Sequence, residues 1–184
     1  MSKIEVLGFL RAVNVGAKNR IKMSELVRVL SKIGLTDLRT HIQSGNLLFT
    51  AEEADHWQSA IESKITTEIK KTLKLDVTAM VRERKSVEKL LKNPNYQSEA
   101  KKDPTKAFIG FLKIEPAKNL IDALMQKQNA SAHFSVVGDS IFLFCPGGMG
   151  KAKLPAFEKV LETTVTFRNV KVVRQLIELS YFMP

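Results

Sequence analysis

The order strand, helix, strand, tight turn, strand, helix, strand occurs twice in this 184-residue chain, over about residues 4–81 and again over 107–167. An internal echo of that length constrains the fold more than any single motif, because each copy has to bury the same kind of layer. In the first copy Ile4 to Leu10 is apolar on both pleat faces. Ile4, Val6 and Leu10 share one face and Leu7 and Phe9 the other, so this strand reads as covered on both sides. A polar loop, Asn14 to Arg20, follows. Leu26, Val27, Leu30 and Ile33 then fall on one stripe of a helix from about Met23, and Gly34 suits the left-handed residue after its end. Leu38, Thr40 and Ile42 alternate with Arg39, His41 and Gln43, which predicts a half-buried strand. Ser44-Gly45-Asn46 turns the chain back into a strand from Leu47 to Thr50. Trp57, Ile61, Ile65 and Ile69 mark a helix over 55–73, and Val77 to Val81 closes the copy as a strand.

A short helix over 83–92 ends at Asn93-Pro94, and its row Arg82, Arg84 and Lys85 reads as a solvated helix start. The polar stretch 93–106, with two prolines and no apolar period, reads as a linker. The second copy begins with the apolar strand Ala107 to Leu112. Pro116 opens a helix, and His133 to Val137 pairs with Ser140 to Cys145 across Gly138-Asp139, a two-residue hairpin signal. Pro155 opens another helix, Val165 to Phe167 is a short strand, and an amphipathic helix over 169–181 ends the chain. A β-α-β-β-α-β unit is the ferredoxin-like plait. The expected fold class is therefore α+β: two ferredoxin-like subdomains, 1–92 and 107–184, each with an added helix, joined by 93–106 and packed as one compact unit.

Topology makes a prediction that no local motif makes. Right-handed crossovers set the first two strands of a plait parallel, so both end at the same edge of the sheet. That places the loop Asn14–Arg20 beside the turn Gln43–Asn46. Arg11, Lys18 and Arg20 supply positive charge there, and Asn14, Asn19, Gln43, Ser44 and Asn46 supply hydrogen bonds. Gly16 and Gly45 allow close backbone approach. These residue types suit a small anionic or phosphate-bearing ligand. They also suit plain turn structure, since Asn and Gly are what tight bends require.

The other signals are weaker. Pro146 to Lys153 contains GGMGKAK, but a phosphate-binding P-loop needs glycine where Cys145 stands and Ser or Thr where Ala152 stands. A turn with a basic rim, Lys151 and Lys153, is left. The run KAFIGFL has the aromatic look of an RNA-binding strand, yet it lies on the first strand of its plait and is apolar on both faces, so Phe108 and Phe111 read as core. No carboxylate pair, metal-ligand spacing or cofactor motif stands out, and whether the chain is an enzyme is left open. Cys145 is the one cysteine, so no internal disulfide forms, and its apolar run makes it a buried thiol. The net charge of +10 raises sequence-independent nucleic-acid binding as an alternative, but the basic residues are spread over both halves and form no tail. A protein–protein module is the third option. No apolar run approaches the length of a membrane span, and residues 1–10 lack a signal peptide's apolar centre, so a cytoplasmic location is expected.

The stretches FLRAVNVGAKNRIKMSEL and LRTHIQSGNLLF resemble the opening of a bacterial family known only as domain of unknown function 1697. Its members usually read LLRGINVGGKN and YIQSGNVVF there. The likeness continues more weakly through PGGMGKAKL and TFRNVKVV. Ala12 and Ala17 stand where the family usually has glycine, and Val170 where it usually has tryptophan. The resemblance implies two plait subdomains and no known reaction. It also implies a role for Arg168, which matches the family's Arg-Asn pair and could meet an anion near a helix start, with Asn169 as N-cap.

Overall fold

A computed structural model describes residues 2–15, 20–94, 101 and 103–181. The chain divides into two units, Met1–Glu88 with Leu176–Pro184, and Lys89–Gln175. Each contains one four-stranded antiparallel sheet with helices beside it.

In the first unit the elements run β1 (Lys3–Arg11), α1 (Met23–Leu30), β2 (Thr36–His41), β3 (Asn46–Glu52), α2 (Trp57–Leu73), β4 (Thr78–Glu83) and α3 (Arg84–Leu91). The strand order is β2-β3-β1-β4, the order of the ferredoxin-like plait. Val6, Leu10, Leu47, Phe49, Ala79 and Val81 form one core with Leu26 and Leu30 of α1 and Ile61, Ile65 and Ile69 of α2. Leu7, Phe9, Leu48 and Met80 alternate with these and are also buried, so the sheet is closed to water on both faces, as the two-sided pattern of β1 predicts.

The second unit runs β5 (Ala107–Leu112), α4 (Lys118–Met125), β6 (His133–Val137), β7 (Ser140–Phe144), α5 (Phe157–Leu161), β8 (Val165–Asn169) and the start of α6 (Val170–Ser180), with strand order β6-β7-β5-β8; from Leu176 on, α6 belongs to the first unit. Leu112, Phe134, Ile141, Leu143 and Val165 face a core completed by Leu124, Phe157 and Leu161. Phe111 is wholly buried and Phe108 packs on that core, so neither aromatic is presented as a base-stacking platform. Cys145 is buried, and burial pushes its thiol up, away from the thiolate.

Three expectations need correction. The strand ending the first hairpin stops at His41, and Ile42 sits in the turn at φ 50°, exposed rather than half-buried. Asn46 begins β3 opposite Phe9 instead of lying in the bend. Arg82 and Arg84 are buried, and only Lys85 of that row is exposed. Arg84 donates to Glu5 and, at 2.9 Å, to Glu88, with its guanidinium 4.6 Å from the centre of the Tyr181 ring. Tyr181 hydroxyl bonds Glu88 in turn, at 3.2 Å, and all four residues belong to the first unit.

Candidate functional site

Because β1 and β2 are both antiparallel to β3, they are parallel to each other and finish at the same edge. The loop and the turn meet there. The N–H of Leu10 donates to Gly45 O at 2.8 Å. The Asn14 amide donates to Ile21 O at 3.0 Å and to Gln43 O at 2.8 Å, while its oxygen accepts the Ile21 N–H at 2.8 Å. One side chain thus closes its own loop and ties that loop to the neighbouring bend. Asn46, 0% exposed, donates to His41 O at 3.1 Å and Ser44 Oγ at 2.9 Å and so fixes the turn from inside. Both asparagines are expected to orient a ligand, but these bonds shape the edge itself.

The edge is also strained. Ala12 (φ 63°), Asn14 (φ 54°) and Ile42 (φ 50°) are left-handed without being glycine, and Ile42 is β-branched. Each such residue costs about 1–3 kcal/mol, and such costs gather at functional sites. Gly45 (φ 71°) is different, because the conformation suits it, and a Cβ there would lie 2.8 Å from Leu10 Cβ. Val15 and Ile42, each next in sequence to the bonded pair Asn14–Gln43, expose apolar side chains (69% and 49%).

A cleft of about 1100 Å³ opens at this edge. Its walls are Asn14, Arg20 and Gln43 on the loop side and Lys22, Ser24 and Glu25 from the start of α1. Lys22 occupies the N-cap position without a side-chain cap, so the positive end of α1 faces the cleft beside two basic side chains. Glu25 opposes an anion there. Arg11 ends β1 opposite Thr78, and Ser44 is held by Asn46. Gly16, Lys18 and Asn19 lie outside the described residues.

Lys151 and Arg168 belong to the second unit. Lys151 is exposed on a short 3-10 turn. Arg168 sits in β8 opposite Ile109 and donates to Thr166 Oγ1 at 2.8 Å and Phe167 O at 3.0 Å. Burial pushes its guanidinium down to about 10, so it is still a cation at neutral pH. Asn169 caps α6, its side-chain oxygen accepting the Lys171 N–H at 2.9 Å. The sequence reading missed a buried pair, Arg82 Nη1 to Glu62 Oε1 at 3.7 Å, with 4% and 3% exposure. The signal available was Glu62 next to Ile61 on the core stripe of α2, where a solvated glutamate is out of place. Among the described residues no group of His, Cys, Asp or Glu could hold a metal ion, and no helix is long and apolar enough to cross a membrane.

A family model described as protein of unknown function (DUF1697) matches residues 4–142. The chain belongs to this family. Among solved structures, the chain is similar to the conserved bacterial protein SP0830 from Streptococcus pneumoniae, at 20% identity and a TM-score of 0.74. The match covers 97% of this chain and 99% of that one. At that identity the likeness carries the fold, two plait units in one chain, and nothing about chemistry. Among curated proteins nothing matches. In this DUF1697 member the edge where Asn14 meets Gln43 also holds Ala12, Asn14 and Ile42, three of the left-handed non-glycine residues of the matched region.

Proposed function

We propose that the polar edge of the first unit binds a small anionic or phosphate-bearing molecule. The observation that carries this reading is the cleft of about 1100 Å³, bordered by Arg20, Lys22, Ser24, Gln43 and the uncapped start of α1. An anion there meets two exposed cations and the N–H groups of a first helical turn, the arrangement that suits phosphate. Strain at Ala12, Asn14 and Ile42 speaks for the same place, since the fold alone does not require it. The exposed Val15 and Ile42 favour a ligand with an apolar part beside its charge. The reading extends to a cytoplasmic protein that engages no membrane.

Calorimetric titration with pyrophosphate tests it. The wild type should bind, and Arg20→Ala with Lys22→Ala should weaken binding about tenfold or more, or about 1.4 kcal/mol. Equal affinity in both proteins removes this edge. Nucleic acid is the rival occupant, drawn by the net charge of +10. Its affinity would fall steeply with salt. Retarded RNA or DNA that releases with salt in wild type and double variant alike would favour the rival.

A further inference from the structure

The first unit has a second cavity, at the other end of its sheet, that does not depend on the polar edge. It measures about 330 Å³ and lies where β1 begins, β2 begins, β3 ends and α2 begins. That volume is at the lower end of the range for small-molecule pockets, which are apolar inside with a few polar groups at fixed places. Its wall is Trp57 with Ile33, Leu35, Ala51 and Ile61. Leu35, Ala51 and Ile61 are each 8% exposed, whereas Leu26, Leu30 and Ile65, deeper in the same core, are 0%. The residual exposure belongs to the cavity wall. Around the mouth stand two cations, Lys3 and Lys64, and two anions, Glu52 and Asp55. The structure shows no ion pair among these four, although Lys3 and Glu52 are register partners on adjacent strands.

We infer that this cavity binds a small zwitterion with a flat apolar body, an aromatic α-amino acid being the simplest case. An apolar wall with an indole rewards burial of a ring by contact area and by the favoured geometry of aromatic pairs. A rim carrying both signs complements a ligand that carries both signs, while a plain anion or a plain cation would meet like charge as well as opposite charge. The two sites therefore differ in ligand class as well as place.

Trp57 is the only tryptophan of the chain, so its fluorescence excited at 295 nm reports this cavity directly. L-Phenylalanine does not absorb there and serves as the probe. It should change the emission saturably, with phenylacetate and phenethylamine each binding about tenfold more weakly for want of one charge pair. Ala60, exposed and lining the cavity, offers a filling variant: Ala60→Phe should abolish the response with thermal stability unchanged. Arg20→Ala should leave it intact, which keeps this test separate from the one for the polar edge. No saturable change with L-phenylalanine, equal binding of toluene, or an undiminished response in Ala60→Phe would each overturn the inference.

Discussion

In the first unit the N–H of Leu10 reaches Gly45 O at 2.8 Å, and in the second the N–H of Leu112 reaches Asp139 O at 2.9 Å. Both leucines lie two residues after a glycine in a central strand, Gly8 and Gly110. In both units an arginine stands opposite the residue before that glycine, Arg82 against Leu7 and Arg168 against Ile109. Each arginine donates to the carbonyl preceding it, Val81 O at 2.8 Å and Phe167 O at 3.0 Å. The scaffold is thus repeated down to single bonds. The edges are not. The second unit closes its hairpin with Gly138-Asp139 and joins β5 to α4 through 113–117. The first uses 42–45 and 12–22 for the same two connections and holds Ala12, Asn14 and Ile42 in strained backbone. The second unit demonstrates that a plait of this kind closes without the longer, strained loops. What the first unit adds at its edge is therefore surplus to folding, which is why the ligand site is sought there.

The units also differ in how they protect an edge strand. β4 is the outer strand of its sheet among the described residues, and the N–H of Val81 is taken by Glu62 of α2 at 2.9 Å while Arg82 takes the carbonyl. In the second unit Glu158 of α5 takes the N–H of Val165 at 3.0 Å. Both helices blunt an edge that would otherwise recruit another strand. The first does so with a buried ion pair, Arg82–Glu62, and the largest predicted effect tests it. Removing one partner of a buried pair leaves an uncompensated charge, so Glu62→Ala should lower unfolding free energy by about 4 kcal/mol. Glu158→Ala, at a half-buried site, should cost less, about 1 kcal/mol for the lost bond to the Val165 N–H. Urea midpoints measure both, and equal losses would make the two devices the same.

The two hairpin glycines come next. Both have positive φ, +71° at Gly45 and +55° at Gly138. A Cβ on Gly45 would press on Leu10 and Val13, whereas nothing lies within 4 Å of one on Gly138. Gly138→Ala should therefore cost only the left-handed conformation, about 1 kcal/mol, and Gly45→Ala that plus overpacking, about 3 kcal/mol. If the two costs match, the loop and turn of the first unit are less tightly clasped than their geometry states.

The repeat was legible in sequence because it is written in apolar period and in Gly-containing bends, which depend on local backbone physics. The meeting of loop and turn was legible too, through the handedness of the crossover. The roles of single polar residues at that meeting were not. Asn14 and Asn46 are the residue types that contact ligands and the types that close bends, and only their bonds to Ile21, Gln43, His41 and Ser44 separate the uses. Ile42 fitted an alternating strand, and the turn that takes it out of the pleat is set by the Leu10–Gly45 bond from another element. Arg82 and Glu62 were hidden because nothing in sequence brings residues 20 apart in two elements together. The cavity beside Trp57 was hidden for the same reason.

The smallest predicted effect concerns the arginine that matches Arg82 in register. Arg168 keeps the carbonyl bond, and burial pushes its guanidinium down to about 10, below its ordinary value. A base with a lowered folded pKa is charged in both states below about 10, so at neutral pH the whole penalty of burying the cation is present. That penalty is relieved as pH rises through about 10, where the folded state sheds its proton first. Replacing such a cation by an apolar side chain of similar length removes the penalty along with the cation's bonds, those to Thr166 Oγ1 and Phe167 O among them. Arg168→Met should then change stability at pH 7 by less than about 1 kcal/mol, in either direction. Arg82→Met, which strips the buried Glu62 of its partner, should cost about 3 kcal/mol. A loss at Arg168 as large as that at Arg82 would mean that the second unit holds its arginine as firmly as the first. The contrast between the units would then lie in their loops alone.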